Sequence, residues 1–221
     1  MSFAKIIQQN PIYGLTDSVE FAQQLIDAGI KIIQYRDKET DDEEFIKKAK
    51  KIKKLCQNQG VSLIINDRYH LIGQSGADGV HVGLEDIKKV NLKEIRKNIN
   101  QNKILGLSVK NTEQALNAEL NGVDYISISP LYDTARKPEE CGVGLDVLKE
   151  VARQTKIPII AIGGIKEKNL RKIIEAGAIG AAFIGELERA AKNNQLKEKI
   201  KILKRMFKET PREGDMRIPK L

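Results

Sequence analysis

Short runs rich in β-branched residues alternate along this chain with longer stretches in which apolar residues recur every three or four positions. The first pattern predicts strands and the second amphipathic helices. Strand-like runs fall on Ile12–Asp17, Lys31–Arg36, Ser62–Asp67, Gly79–Gly83, Lys103–Val109, Asp124–Pro130, Ile157–Gly164 and Gly180–Gly185. Helical spacing covers Asp41–Gln59, Thr112–Asn121, Leu145–Thr155 and Glu167–Ala176, among others. Gly29, Gly60, Gly122 and Gly177 follow such stretches, as glycines that end helices do. The lysine-rich segment Asp41–Leu55 carries Phe45, Ile46, Ala49, Ile52 and Leu55 at helical spacing, so it reads as an outer helix.

Alternating β and α units with right-handed crossovers predict a parallel sheet, and eight of them predict a closed (β/α)8 TIM barrel in one α/β domain. The chain has 221 residues, shorter than the roughly 250 typical of that fold. A doubly wound open sheet is the alternative, but no Gly-x-Gly-x-x-Gly follows the first strand and no Walker-type loop occurs. The barrel is expected over residues 1–208, with Lys192–Phe207 as its closing helix and residues 209–221 as a loose basic tail.

Composition narrows the class. Apolar residues make up 41% and charged residues 31%, the balance of a soluble globular protein. No run approaches the ~18 apolar residues of a membrane span, and Met1–Pro11 lacks the pattern of a signal peptide. Cys56 and Cys141 form neither a disulfide framework nor a zinc motif. The expectation is a cytoplasmic protein without a membrane partner. The net charge is +8, but from Lys192 onward ten Lys or Arg stand against four Asp or Glu, so the excess sits at the C-terminus. Only Phe207 interleaves aromatically with that charge, which argues against a nucleic-acid platform.

Active sites of such barrels form at the C-terminal strand ends. Strand two delivers Gln34, Arg36 and Lys38 on one face, and an inward Arg calls for an anion such as a phosphorylated ligand. Strand three ends in Asn66-Asp67, and Asp86 lies just beyond strand four. Two carboxylates on neighbouring strands, about 5–10 Å apart, suit Mg²⁺. Helix N-capping explains the same acids equally well on spacing alone. His81 lies mid-strand and reads as a hydrogen-bonded core residue, and His70 has no evident role. Strand five offers Gly106 and Ser108. Strand six runs into Thr134, Arg136 and Lys137, then Gly142 and Gly144, a loop able to grip anions and to move. Strands seven and eight end at Gly164 and at Ile184-Gly185, where barrel phosphate sites recur. One metal and two separate anion-binding regions suggest transfer of a group away from pyrophosphate.

At these residues the sequence resembles the thiamine-phosphate synthase family. The likeness rests on Tyr13-Gly14-Leu15-Thr16-Asp17, Gln34-Tyr35-Arg36-Asp37-Lys38, Ile65-Asn66-Asp67-Arg68, the run Gly76 to Asp86, Gly106-Leu107-Ser108-Val109 and Ala161-Ile162-Gly163-Gly164-Ile165. It covers nearly the whole barrel and stops before the tail. The resemblance implies a Mg²⁺-dependent transferase acting on two small molecules, hydroxymethylpyrimidine diphosphate and hydroxyethylthiazole phosphate. By likeness, Gln34, Arg36, Lys38, Asn66, Ser108 and Lys137 hold the pyrimidine diphosphate, with Arg36, Ser108 and Lys137 counted as catalytic. Asp67 and Asp86 bind the metal, and Thr134, Arg136, Gly164, Ile184 and Gly185 surround the thiazole phosphate. The family forms a pyrimidine-methyl cation and needs no protein nucleophile. Oligomerisation with copies of itself stays open.

The chain departs from the family pattern in loop six, where Arg136 stands for Thr or Ser. Gly185 stands for a common Ser, Ser129 for a Gly and Lys110 for a frequent His. Two rival readings follow: a thiazole tautomerase-like relative, which tends to lack the metal acids, and a non-catalytic phosphate-ligand-binding barrel. The acids Asp67 and Asp86 argue against both.

Overall fold

The computed structural model describes residues 3–83, 91–134 and 138–212. Eight parallel strands close on themselves in sequence order: β1 (Ile12–Thr16), β2 (Ile32–Tyr35), β3 (Ser62–Asn66), β4 (Gly79–Val82), β5 (Ile104–Val109), β6 (Tyr125–Ile128), β7 (Ile159–Ile162) and β8 (Gly180–Phe183). Pairing of Tyr13 with Ala182 joins β1 to β8 and completes the barrel. Every predicted strand exists, each shorter by a residue or more at one end or both.

The outer layer includes α2 (Val19–Asp27), α3 (Asp42–Gln57), a short 3-10 turn (Tyr69–Leu71) running into α4 (Ile72–Ser75), α5 (Leu92–Asn98), α6 (Thr112–Leu120), α7 (Gly144–Gln154) and α8 (Glu167–Glu175). Strands covered on both faces need apolar residues on both, which is why they read as near-continuous hydrophobic runs. In α3, Asp41 caps the first turn by accepting the Glu44 N–H at 2.9 Å, and Phe45, Ala49 and Ile52 are fully buried against the sheet. The stripe predicted there is the buried one.

Two departures from the sequence reading matter. The region after β8 is two helices, α9 (Gly185–Lys192) and α10 (Leu196–Glu209), rather than one from Lys192 to Phe207. Asn194 takes φ +56° between them, a left-handed conformation that Asn tolerates better than most residues. The second departure is α1 (Phe3–Gln9), a helix ahead of β1 that the periodicity did not reveal. Phe3 and Ile7 are its two buried residues, four apart, too few to show a stripe. They plug the N-terminal mouth of the barrel. Phe3 stacks on Tyr125 with centroids 3.9 Å apart, and Ile7 packs so closely on β8 that a Cβ at Gly180 would meet it at 2.7 Å.

The interior is therefore graded. At one level Tyr13, Ile32, Ile64, Tyr125 and Ile160 join Phe3 and Ile7 in an inner apolar cluster. Above it the inward positions turn polar, with Gln34, Asn66, His81, Ser108 and Ser127 at the end where the strands exit. Period-two alternation fixes this, because each lies two residues beyond an inner-cluster residue or in register with one that does. Among the described residues no helix is long and apolar enough to cross a membrane.

Candidate active site

The polar end of the barrel opens into a cavity of about 450 Å³. Ten of the residues singled out from the sequence line it: Gln34, Arg36, Lys38, Asn66, Asp67, Ser108, Thr134, Gly164, Ile184 and Gly185. Asp86, Arg136 and Lys137 lie outside the described residues.

On β2, Gln34 is 3% exposed, and Arg36 and Lys38 follow it around the cavity wall. Among the described residues no carboxylate pairs with either cation. The intervening Asp37 points the other way. Its carboxylate accepts from Lys48 Nζ at 2.9 Å, from the backbone N–H groups of Glu39 and Thr40 at 3.1 and 3.2 Å, and from the Tyr35 hydroxyl at 3.2 Å. Burial alone would raise its pKa, but the Lys48 ammonium and the two N–H donors outweigh it and hold the carboxyl at about 2. The loop presenting Arg36 and Lys38 is thus pinned from behind.

Asp67 has the left-handed φ of +59°. One carboxylate oxygen accepts the Gly83 N–H at 2.9 Å and the other accepts from Asn66 Nδ2. It caps no helix: the following turn begins at Arg68 without a side-chain cap. The N-cap reading of Asp67 therefore fails. A carboxylate has about four acceptor positions, and two protein donors leave room for a hard cation on this cavity wall. The donor set of Asp67 fits Mg²⁺ in kind. Arg68 turns outward, pairing with Asp42 at 2.8 Å and lying 4.6 Å from the Phe45 ring centroid.

β4 places His81 at the cavity floor, 7% exposed, with Nδ1 3.0 Å from the Tyr125 hydroxyl and Nε2 3.0 Å from Ser108 Oγ. Burial pulls its pKa down to about 4, so the ring is neutral. It is the hydrogen-bonded residue expected, and it also lines the cavity. Gly106 makes room for Tyr125, since a Cβ there would come within 2.2 Å of the ring. At the end of β5, the Lys110 ammonium pairs with Glu140 of loop six at 2.6 Å.

Loop six is fastened at its base. Leu131 N–H donates to Ile162 O at 2.7 Å, Val143 N–H to Pro130 O at 3.0 Å, and Gly142 N–H to Asp133 Oδ1 at 2.8 Å. Gly142 serves close approach rather than hinging, because a Cβ there would sit 2.5 Å from Tyr132 Cα. Across the cavity, Gly163 and Gly164 have φ of +94° and +65°, and a Cβ on Gly164 would sit 2.7 Å from Tyr132 Cβ. These glycines are demanded by the packing of loop six as much as by any ligand. Gly185, first residue of α9, has open space around it. Beside it Glu186 accepts from Arg189 at 2.7 Å.

The sequence reading missed Tyr13, Ser127, Lys166 and Arg189, which also line the cavity. Tyr13 and Ser127 were findable, since they stand in phase with the inward positions of their strands. Lys166 precedes α8 and Arg189 sits on α9, where strand alternation gives no signal.

The sequence profile described as thiamine monophosphate synthase matches residues 5–187. A thiamine-phosphate synthase of Shouchella clausii is 40% identical over 172 residues, 77% of this chain and 81% of that protein. Another from Clostridium acetobutylicum is 34% identical over 199 residues, 90% of this chain and 89% of its own length. Among solved structures, the thiamine phosphate pyrophosphorylase from Pyrococcus furiosus superimposes with a TM-score of 0.81 at 27% identity, covering 92% of this chain and 98% of its own.

Proposed function

The chain belongs to the thiamine monophosphate synthase family, and from that premise we propose that its cavity joins hydroxymethylpyrimidine diphosphate to hydroxyethylthiazole phosphate, releasing pyrophosphate. The observation that carries this reading is the convergence of ten separately chosen residues, from six of the eight strands or the loops behind them, on one cavity.

The division of labour follows from charge and position. Arg36 and Lys38 take the diphosphate, since both are cationic and neither is occupied by a described carboxylate. Gln34, Asn66 and Ser108 orient the pyrimidine with neutral polar groups at the floor. Gly164 and Gly185, on the opposite wall, offer backbone N–H groups to the thiazole phosphate at the N-terminus of α9. Thr134 and Ile184 flank that second anion. By likeness to the family, Lys137 would serve the diphosphate and Arg136 the thiazole phosphate.

The bond to the diphosphate oxygen breaks with its electron pair leaving on oxygen, and the thiazole nitrogen lone pair forms the new carbon–nitrogen bond. No proton moves, so no general base is required. His81, held neutral, Glu140, paired with Lys110, and Glu186, paired with Arg189, fit that requirement. Asp67, with Asp86, would hold Mg²⁺, which when bound supplies charge neutralisation of the diphosphate leaving group. Holding two reactants together supplies the rest of the acceleration through orientation.

The test is pyrophosphate release from the pyrimidine diphosphate, with and without the thiazole phosphate, in Mg²⁺ and in EDTA. Release that needs both the thiazole phosphate and Mg²⁺, with thiamine phosphate as product, is the expected result. No release under any condition would leave a barrel that binds phosphorylated ligands without turnover.

A further inference from the structure

One continuous chain of side-chain hydrogen bonds crosses the inside of the barrel beneath the cavity. Gln34 Nε2 lies 3.1 Å from the Tyr13 hydroxyl, which lies 2.9 Å from the Tyr125 hydroxyl. Tyr125 reaches His81 Nδ1 at 3.0 Å, and His81 Nε2 reaches Ser108 Oγ at 3.0 Å, with Ser127 Oγ 3.3 Å from both. The chain joins β1, β2, β4, β5 and β6. The hydroxyls of Tyr13 and Tyr125 take no other side-chain hydrogen-bond partner among the described residues, so these two groups serve the chain alone.

Counting protons gives the chain a direction. The Gln34 amide nitrogen carries only donors, so the Tyr13 oxygen accepts and its own proton goes to Tyr125. Tyr125 has then accepted once, and its proton goes to His81 Nδ1. That nitrogen is an acceptor, so the imidazole proton resides on Nε2 and is donated to Ser108. Each phenol hydroxyl carries a single proton, and both ring nitrogens of His81 face hydroxyls of the chain, so one imidazole proton completes the count.

We infer that this ordered chain fixes the hydrogen-bonding face the cavity floor shows to a ring, with Tyr13, Tyr125 and His81 as positioning residues. At one end Gln34, its amide nitrogen engaged, presents Oε1 as an acceptor. At the other, Ser108 and Ser127 share the His81 proton and one hydrogen bond between them, which leaves one hydroxyl proton of the pair to present as a donor. That face suits a planar heterocycle with an exocyclic amino group and an unprotonated ring nitrogen. It disfavours the same ring with an oxo group in place of the amino group. This inference rests on the functional reading above for its substrate, but the ordering itself does not.

The test uses the full chain and two variants. Tyr125→Phe keeps the ring stacked on Phe3 and seated on Gly106 while removing one link, and Tyr13→Phe removes the link before it. Two-bond ¹H–¹⁵N correlation NMR reads the tautomer of His81, with the exposed His70 as an internal reference. Expected is the Nε2–H tautomer in the wild type and a mixture in Tyr125→Phe. Both variants should raise KM for the aminopyrimidine diphosphate about tenfold, leave KM for the thiazole phosphate unchanged, and lose discrimination against the oxo analogue. A wild-type Nδ1–H tautomer would reverse the chain and overturn the inference, as would equal rises in both KM values. If Tyr125→Phe does not fold, Tyr13→Phe gives the same readings. A protein without synthase turnover but with the Nε2–H tautomer, lost in the variants, would sink the proposed reaction and leave the ordered chain standing.

Discussion

The carboxylate of Asp67 accepts the backbone N–H of Gly83 at 2.9 Å, tying the exit of β3 to the exit of β4. The backbone of the same residue is held left-handed, with its N–H on His81 O at 2.8 Å. Nothing in a helix cap requires this arrangement. It fixes one negative group on the cavity wall beside Asn66.

Asp67→Asn separates the charge from the scaffold. The Asn carbonyl keeps an acceptor for Gly83, the Asn66 amide can turn over to accept from the new amide nitrogen, and Asn tolerates φ of +59°, so the fold and melting temperature should hold. Turnover should fall about 10²–10³-fold, and the Mg²⁺ concentration giving half-maximal pyrophosphate release should rise. A magnesium titration of wild type and variant reads both. Unchanged turnover would remove Asp67 from the site.

Asp37 gives a pH prediction. Its folded carboxyl titrates at about 2, below the ordinary aspartate range near 3.9. A depressed value means stability present in full above the unfolded pKa and lost as pH falls from about 4 towards about 2. Melting temperatures of wild type and Asp37→Asn should differ at pH 6, by about 1–2 kcal/mol of stability, and converge by pH 2. Because Asp37 anchors the loop carrying Arg36 and Lys38, KM for the diphosphate substrate should rise in the variant. A constant gap across that range would show that the charge is not what the loop uses.

The barrel was legible because its strands are buried on both faces and separated by amphipathic segments, a pattern that survives without any alignment. So was the set Gln34, Arg36 and Lys38, since Gln34 ends an inward run of β2 and the two cations keep its period of two into the loop that follows. What escaped had weaker periodicity. The plug helix buries only Phe3 and Ile7, and the break at Asn194 sits inside a run polar enough to read as one helix. The roles of the glycines were least readable. Gly142 looked like a hinge and is a packing requirement, whereas Gly185, which looked like a phosphate cradle, is sterically unconstrained.

That last contrast can be measured. A hydroxyl at residue 185 meets nothing within 4 Å of its Cβ, and it would stand at the first turn of α9. Gly185→Ser should lower KM for the thiazole phosphate several-fold, as one added neutral hydrogen bond would, and leave KM for the pyrimidine diphosphate alone. Gly164→Ala should do the opposite of help. Its Cβ would press on Tyr132 and, at 2.9 Å, on Asp133 O, with a strained φ of +65° besides. Steady-state kinetics with each substrate varied in turn distinguishes the two effects.

The ion pair of Lys110 and Glu140 decides between a proton-transfer site and a latch. Lys110 occupies the place of a His frequent in the family, and in a tautomerase-like relative that position would move a proton. Here its ammonium sits 2.6 Å from a carboxylate on loop six, and the two side chains are 40% and 16% exposed. A charge so paired holds the loop. If it is a latch, Lys110→Met and Glu140→Gln should each lower kcat by a similar modest factor. The double variant should then be little worse than either, with a coupling energy of about 0.5–1 kcal/mol. If it transfers protons, Lys110→Met should abolish activity, Glu140→Gln should not, and thiazole tautomer exchange should appear in the wild type without Mg²⁺. A double-mutant cycle on kcat, run beside an NMR assay of tautomer exchange, reads both sets of outcomes, and the geometry predicts the first.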